Sequence, residues 1–167
     1  MKKTFLFLAV ISLFMLSSCG GDEDDDIASV GLNGTVSYDG TSYSIANGIF
    51  SLTIADGNAE GEFFLADGVI EPTATGVSTS DSEIIISIVA TSTGTTTLSS
   101  GDYQTSTNVP AQYADIQVTT SSGSKQAFTG GTVNISGSGN TYTITFDVPF
   151  GQGIELSGTV NGTYESR

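Results

Sequence analysis

The sequence predicts an all-β protein, either an antiparallel β-sandwich or a barrel-like meander of about 8–10 strands. After residue 30, apolar and polar residues alternate along many segments, which is the period of a strand with one buried face. Asp-Gly and Asn-Gly pairs separate these segments, and such pairs favour tight hairpins because glycine accepts a positive φ. No segment of useful length after residue 30 has the periodicity of a helix.

The N-terminal half of this region has the pattern of consecutive hairpins. Asp39-Gly40 and Asp56-Gly57 each lie between two alternating runs, and Asp67-Gly68 ends a third run. The predicted strands contain these residues: Val36 and Tyr38; Tyr43 and Ile45; Phe50, Leu52 and Ile54, after Asn47-Gly48; and Glu62 to Ala66.

The middle of the chain contains the most apolar strand. The run from Ile84 to Val89 is apolar on both faces, so we expect it at the centre of a sheet or under a covering loop. Tyr113 lies on the face opposite Ile116 and Val118, which marks another strand. Residues 91–108 are the least core-like stretch, and we expect them to include a mobile loop.

Three alternating segments predict an antiparallel meander at the C-terminal end. In the longest segment, residues 141–148, one face is apolar and the other carries three threonines and Asp147. We therefore expect residues 31–167 to form a single β domain, which is long enough to bury a core without disulfides. The apolar faces of the meander are Val133 and Ile135; Tyr142, Ile144, Phe146 and Val148; and Ile154, Leu156 and Val160.

The first 19 residues have the pattern of a targeting signal. Lys2 and Lys3 precede an apolar run, residues 5–16, that is shorter than the roughly 20 apolar residues a bilayer span takes. Small residues then precede the chain's single cysteine, and this order resembles the lipobox of bacterial lipoproteins. The resemblance implies a signal peptide over residues 1–18 and acyl chains on the cysteine that anchor the protein in a membrane. The residues of the lipobox are Leu16, Ser17 and Ser18, followed by Cys19.

Residues 19–30 are expected to form a flexible linker with the lipidated cysteine at its start. Five consecutive acids repel one another and stay solvated, so they would serve as a spacer. The run is also similar in position and charge to the export signal of surface-exposed lipoproteins of the Bacteroidota. We favour the second interpretation, which implies a lipid-anchored location in the outer membrane that faces the cell exterior. The run consists of Asp22, Glu23, Asp24, Asp25 and Asp26.

Several elements of the β region also resemble small surface lipoproteins of the Bacteroidota. The resemblance is carried by a Leu-Ser-Gly-x-Tyr element with one extra residue, a Gly-Gly-Thr-Val strand, an aromatic strand and a final Leu-Ser-Gly-Thr strand. It implies a β-sandwich-like fold and a cell-surface location, and it implies no ligand. These elements are Leu98 to Tyr103, Gly130 to Ile135, Tyr142 to Phe146 and Leu156 to Thr159.

Composition excludes several functions. The chain has no His and one Cys, which excludes His/Cys zinc sites, Ser-His or Cys-His nucleophile pairs and an intrachain disulfide. Its formal charge of −14 argues against nucleic acid as a partner, because phosphate binding needs clustered Lys and Arg. We expect no cofactor and no metal site. Calcium could bind if the acidic turns at Asp39, Asp56 and Asp67 converged, but hairpin chemistry explains these residues.

The remaining composition favours binding or an envelope-structural role, with a glycan, an adhesion partner or an envelope protein as the ligand. Tyr103 and Tyr113 are the candidate binding residues, because aromatic faces stack on sugars and polar side chains lie nearby. The alternative is that both rings pack at the edges of the sheet. A threonine row, Thr141, Thr143 and Thr145, would suit an ice-binding or other flat repetitive face, although any half-buried strand shows one such row.

We expect no catalytic residues, and a carboxylate-dependent glycan hydrolase is the enzymatic alternative. Such an enzyme needs two carboxyls about 5–9.5 Å apart across a cleft, and the sequence indicates no cleft. A structural protein of the envelope that faces the periplasm is a further alternative. The pairs open to the hydrolase reading are Glu60/Glu62, Asp81/Glu83 and Asp102/Asp115.

Overall fold

The computed structural model describes residues 31–74, 76–105, 110–127 and 130–167. These residues form 14 strands and no helix, which confirms the predicted fold class. Among them there is also no helix with the length and apolar character that crossing a membrane requires. The strands are β1 (Gly31–Tyr38), β2 (Thr41–Ile45), β3 (Asn47–Ala55), β4 (Asn58–Ala66), β5 (Val69–Thr73), β6 (Gly76–Ser80), β7 (Ile84–Ser92), β8 (Gly101–Gln104), β9 (Gln112–Thr120), β10 (Gly123–Gln126), β11 (Thr132–Ser138), β12 (Thr141–Gly151), β13 (Ile154–Thr163) and β14 (Glu165–Ser166).

One large curled sheet contains twelve of the strands, in the order β14-β3-β4-β7-β9-β8-β11-β12-β13-β1-β2, with β10 beside β9. The β14–β3 and β8–β9 pairs are parallel and the others are antiparallel, so the sheet is mixed and has more strands than predicted. Ala46 alone joins β2 to β3, and Tyr164 alone joins β13 to β14. These two short links bring the two edges of the large sheet close together, because each joins strands from opposite ends of its strand order. The concave face of the sheet encloses the core.

Two glycines make the tight curl of β1 and β13 possible. Gly34 lies opposite Val160, and Gly158 lies opposite Val36. A Cβ on Gly158 would lie 2.3 Å from the carbonyl oxygen of Thr35, and its φ of +131° is one that side chains rarely adopt. The strands therefore approach and twist more closely than residues with side chains allow.

The core consists of the inward residues of the curled sheet. β7 lies between β4 and β9, which confirms that the apolar run from Ile84 to Val89 is central. Aromatic rings fill one part of the core: Phe50 lies 4.6 Å from Phe63 and 4.9 Å from Tyr142 between ring centroids. The predicted meander is confirmed as β11, β12 and β13, with its apolar residues inward.

A second, smaller sheet covers part of the outer face. The β5–β6 hairpin places Ile70 and Val77 against Ile49, Ala66 and Phe64 on the outside of β3 and β4. This contact explains why β4 buries residues on both faces near its end.

Candidate functional site

A cleft of about 180 Å³ lies between the β1–β2 hairpin and the turn that joins β9 to β10. We call it the Lys125 cleft. Four of its lining residues come from β1, β2 and their turn, namely Tyr38, Asp39, Thr41 and Tyr43. The facing side consists of Thr120, Ser121, Ser122, Gly123 and Lys125.

Local turn chemistry builds both walls of the Lys125 cleft. Asp39 and Gly40 have φ values of +52° and +75°, as the predicted tight hairpin requires, and this turn brings Tyr38 and Tyr43 to the same end of the sheet. On the other wall, a hydrogen bond of 2.7 Å between the hydroxyls of Thr119 and Ser124 joins β9 to β10.

The Lys125 cleft combines hydrogen-bond donors with one carboxylate. Burial raises the pKa of Tyr38, and Asp39 and Tyr43 raise it further, so the Tyr38 hydroxyl stays protonated at neutral pH. Tyr38 also packs its ring edge-on against Phe150 at 5.3 Å between centroids. Among the described residues, Lys125 forms no ion pair, whereas the other cation, Arg167, contacts Glu62. Lys125 is therefore available to a ligand.

Two further hollows include residues of β12. One, of about 260 Å³, shares Lys125 with the cleft and adds Gln126, Phe150 and Gln152. The other, of about 350 Å³, is lined by the neighbouring Pro149 and Gly151 and by residues of β13. The hollow that shares Lys125 therefore extends the Lys125 cleft toward Phe150 and Gln152.

Tyr103 is not an exposed binding residue, which corrects the prediction from the sequence. Its side chain has no exposed surface. Its hydroxyl donates to the carbonyl oxygen of Ser99 at 2.5 Å and accepts from the hydroxyl of Ser92 at 2.7 Å, while the Ser99 N–H donates to the Ser92 hydroxyl at 3.0 Å. This closed ring of hydrogen bonds joins the end of the loop before β8 to the end of β7 and holds it against the core.

Tyr113 lies on the other face of the sheet from Tyr103. It is half-buried on the outer face of β9, opposite the inward Ala114 and Ile116, as the alternation predicts. The two tyrosines therefore do not form a common patch. Asp102, the polar neighbour of Tyr103 in the sequence, accepts a hydrogen bond of 2.7 Å from the Asn134 amide.

The structure does not bring together across a cleft the carboxylate pairs that the hydrolase alternative would require. Glu60 and Glu62 do share the outer face of β4, but Glu62 contacts Arg167 at 3.0 Å. In the β8–β9 register Asp102 is level with residue 111, so Asp115 is about 13 Å farther along the strand direction. That separation exceeds the range for glycoside hydrolysis.

Asp81 and Glu83 lie in the turn before β7. Asp81 has a φ of +57°, and the backbone N–H of Glu83 donates to the carboxylate of Asp67 at 3.0 Å. Asp67 also accepts the Ile84 N–H at 3.1 Å, so it fixes the start of β7. The Asp-Gly pattern predicts a turn residue with a positive φ. Asp67 instead accepts hydrogen bonds from two backbone N–H groups.

The acidic turns do not converge on a cation site. Asp39 and Asp56 each occupy a separate hairpin turn, and Asp67 binds backbone N–H groups. Within the described ranges, no group of three or more Asp, Glu, His or Cys side chains is placed to hold a metal ion.

The structure brings together one pair of carboxylates that was not predicted from the sequence. Asp147 on β12 and Glu155 on β13 line the same hollow of about 350 Å³. Asp147 lies opposite Ser157 and Glu155 opposite Pro149, so the two acids are diagonal neighbours with about 7–8 Å between them. Only the strand register shows this proximity. Both side chains are exposed, side by side on one face.

The threonine row of β12 continues across neighbouring strands. The register aligns Asn134, Thr145, Thr159, Thr35 and Ser44 in one row over five strands. The hydroxyls of Thr145 and Thr159 are 3.0 Å apart. The sequence alone did not predict that polar residues of neighbouring strands would align in this way. This part of the sheet is strongly curled, so its outer face is convex. An ice-binding face would have to be flat.

The targeting residues lie outside the described residues. They are Leu16, Ser17, Ser18 and Cys19, followed by the acidic run Asp22, Glu23, Asp24, Asp25 and Asp26. No family model matches the chain, and no curated protein or solved structure is significantly similar to it.

Proposed function

We propose that the protein is a lipid-anchored domain on the outer surface of the outer membrane, and that it binds a glycan, without catalysis, at the Lys125 cleft. One observation carries the binding proposal. The cleft places Lys125, Asp39 and two tyrosines around one cavity in a chain that is otherwise strongly acidic.

The chemistry of the cleft suits sugar hydroxyls, which both donate and accept hydrogen bonds. The Asp39 carboxylate accepts, and the Lys125 ammonium and the Tyr38 hydroxyl donate. Tyr43, which is half-buried, offers an aromatic body with a polar tip. A mixed set of donors and acceptors beside aromatic rings is typical of sites that orient a small polar ligand.

Calorimetric titration of the processed protein, purified in detergent, against polysaccharides of several classes tests the proposal. We expect saturable binding to one class and an affinity about tenfold lower for Lys125→Gln, equivalent to about 1.4 kcal/mol. Arg167→Gln is the matched control, because it removes the same charge outside the cleft. Absence of saturable binding to every class, or equal effects of the two variants, would contradict a glycan site at the cleft.

The proposed location is tested on cells. We expect an antibody against the β domain to stain unpermeabilised cells that make the native protein. Replacing Asp22 to Asp26 by Ala should abolish this staining, and exchanging each Asp for Glu and Glu23 for Asp should preserve it. Cys19→Ala serves as the unanchored control. Staining that requires permeabilisation would instead favour a spacer and a domain that faces the periplasm.

A further inference from the structure

The strand β3 has an edge that is only partly covered. β14 pairs in parallel with Ile49 and Phe50, and the Arg167 N–H donates to the carbonyl oxygen of Phe50 at 3.1 Å. Beyond this point, from Ser51 to Ala55, β3 pairs only with β4 among the described residues.

The direction of the free backbone groups follows from the hairpin. The two-residue Asp56-Gly57 turn makes Ala55 and Asn58 a hydrogen-bonded pair, and such pairs alternate along an antiparallel ladder. Odd-numbered residues of β3 therefore bond to β4. Leu52 and Ile54 direct their N–H and C=O groups toward the free edge.

This edge lacks the devices that protect exposed strands from pairing. It carries no charged residue, no proline and no break in its register with β4. The side chains of Leu52 and Ile54 are 44% and 54% exposed and lie on the same face as the buried Phe50. An added strand would cover both side chains.

The outer face beside this edge is acidic. On β4, Glu62 lies opposite Ser51 and Glu60 lies opposite Thr53. The guanidinium of Arg167 reaches across β3 to the Glu62 carboxylate at 3.0 Å and lies 6.0 Å from the centroid of the Phe64 ring. Arg167 therefore shows that a basic side chain on a strand at this edge can form an ion pair with the acidic row, which consists of Glu60 and Glu62 on β4.

Glu60, the next acid of this row, has no corresponding basic partner among the described residues. Glu60 is exposed and forms no ion pair with the described residues. An added strand that continued the path of β14 would place an outward side chain beside Thr53, from which a long basic residue could reach Glu60.

We propose that the edge of β3 from Ser51 to Ala55 binds an extended, alternating apolar and basic segment of a partner protein by strand addition. Its apolar side chains cover Leu52 and Ile54, and a basic side chain pairs with Glu60. A second copy of this chain fits less well, because its Ser51–Ala55 strand carries no basic residue, its Arg167 is already paired with Glu62, and Glu60 beside the strand would add an acid. The site is separate from the Lys125 cleft.

A labelled seven-residue peptide that alternates valine and arginine tests this proposal on the processed protein in detergent micelles. We expect saturable binding by fluorescence anisotropy and NMR shift changes concentrated in the amides of Ser51 to Ala55. Glu60→Lys should weaken binding at least tenfold and should confer binding of a matched valine–glutamate peptide. Lys125→Gln is the control and should leave peptide binding unchanged, which separates this site from the proposed glycan site.

Ile54→Pro tests the backbone contribution. It removes a free-edge N–H and spares the hydrogen bonds to β4, so we expect the fold to persist and peptide binding to be lost. If this variant does not fold, the charge exchange at Glu60 decides alone. Unchanged preference of Glu60→Lys for the two peptides would overturn the proposal. Dimerisation of the native protein through this edge without peptide binding would also overturn it.

Discussion

The same Tyr→Phe substitution should affect stability differently at two buried tyrosines, because their hydroxyl groups differ in hydrogen bonding. Tyr103 and Tyr164 are both buried, with 0% and 1% of their surface exposed. The Tyr103 hydroxyl belongs to a closed ring of hydrogen bonds with Ser92 and Ser99. The Tyr164 hydroxyl has no hydrogen-bond partner among the described residues, and burial raises its pKa.

We expect Tyr103→Phe to lower the free energy of unfolding by about 1–3 kcal/mol, because it removes the two hydrogen bonds that the Tyr103 hydroxyl makes with Ser92 and Ser99. Tyr164→Phe should leave that free energy unchanged or raise it, since it removes a buried polar group that gains no hydrogen bond. Urea denaturation of the two variants measures the difference. Equal losses of stability would show that the hydrogen-bond ring has no net value.

At the level of elements, the sequence predicts the hairpins well because the required residues are adjacent. Asp56 and Gly57 have φ values of +52° and +75°, as the tight turn requires. The parallel pairing of β14 with β3 was not predicted, because no local pattern encodes a contact between positions so far apart in the chain. The candidate site depends on the same long-range register: Tyr38 and Tyr43 are local neighbours, but Lys125 joins them only through the fold.

The curl of β1 against β13 depends on Gly158. We expect Gly158→Ala to destabilise the protein by more than the roughly 1–3 kcal/mol of a strained backbone alone, because its Cβ would also lie 2.3 Å from the Thr35 carbonyl oxygen. Gly153→Ala is the matched control, since Gly153 has a φ of +80° and open space around it. Thermal unfolding of the two variants separates the steric clash from backbone strain. A smaller loss for Gly158→Ala would contradict this origin of the curl.

For the whole molecule, alternation and turn residues were enough to predict an all-β domain with an inward apolar face. They could not predict which tyrosines are buried. Tyr103 lies in a polar segment, yet the pairing of β8 with β11 directs it into the core. The excess of acids over bases was visible in composition. Its local consequence is that Glu60, which has no ion pair within the described part of the chain, lies beside an uncharged edge, and this required the register of β3 and β4.

The buried tyrosines also determine how the stability of the whole domain responds to alkaline pH. Burial is the main cause that raises the pKa of Tyr38, Tyr142 and Tyr164. In the unfolded chain these phenols lose their protons near pH 10, so above that pH the folded state binds more protons than the unfolded state. Their contribution is therefore fully present below about pH 10 and is lost as the pH rises toward the folded-state pKa values.

We expect the free energy of unfolding to fall above about pH 10 and to fall less steeply in Tyr164→Phe, which has one such group fewer. Urea denaturation at a series of pH values from neutral to strongly alkaline measures this slope. Tyr113→Phe is the control, because Tyr113 is half-buried on the outer face. If Tyr164→Phe and the native protein lost stability in parallel above pH 10, the burial of Tyr164 would not be a source of the alkaline transition.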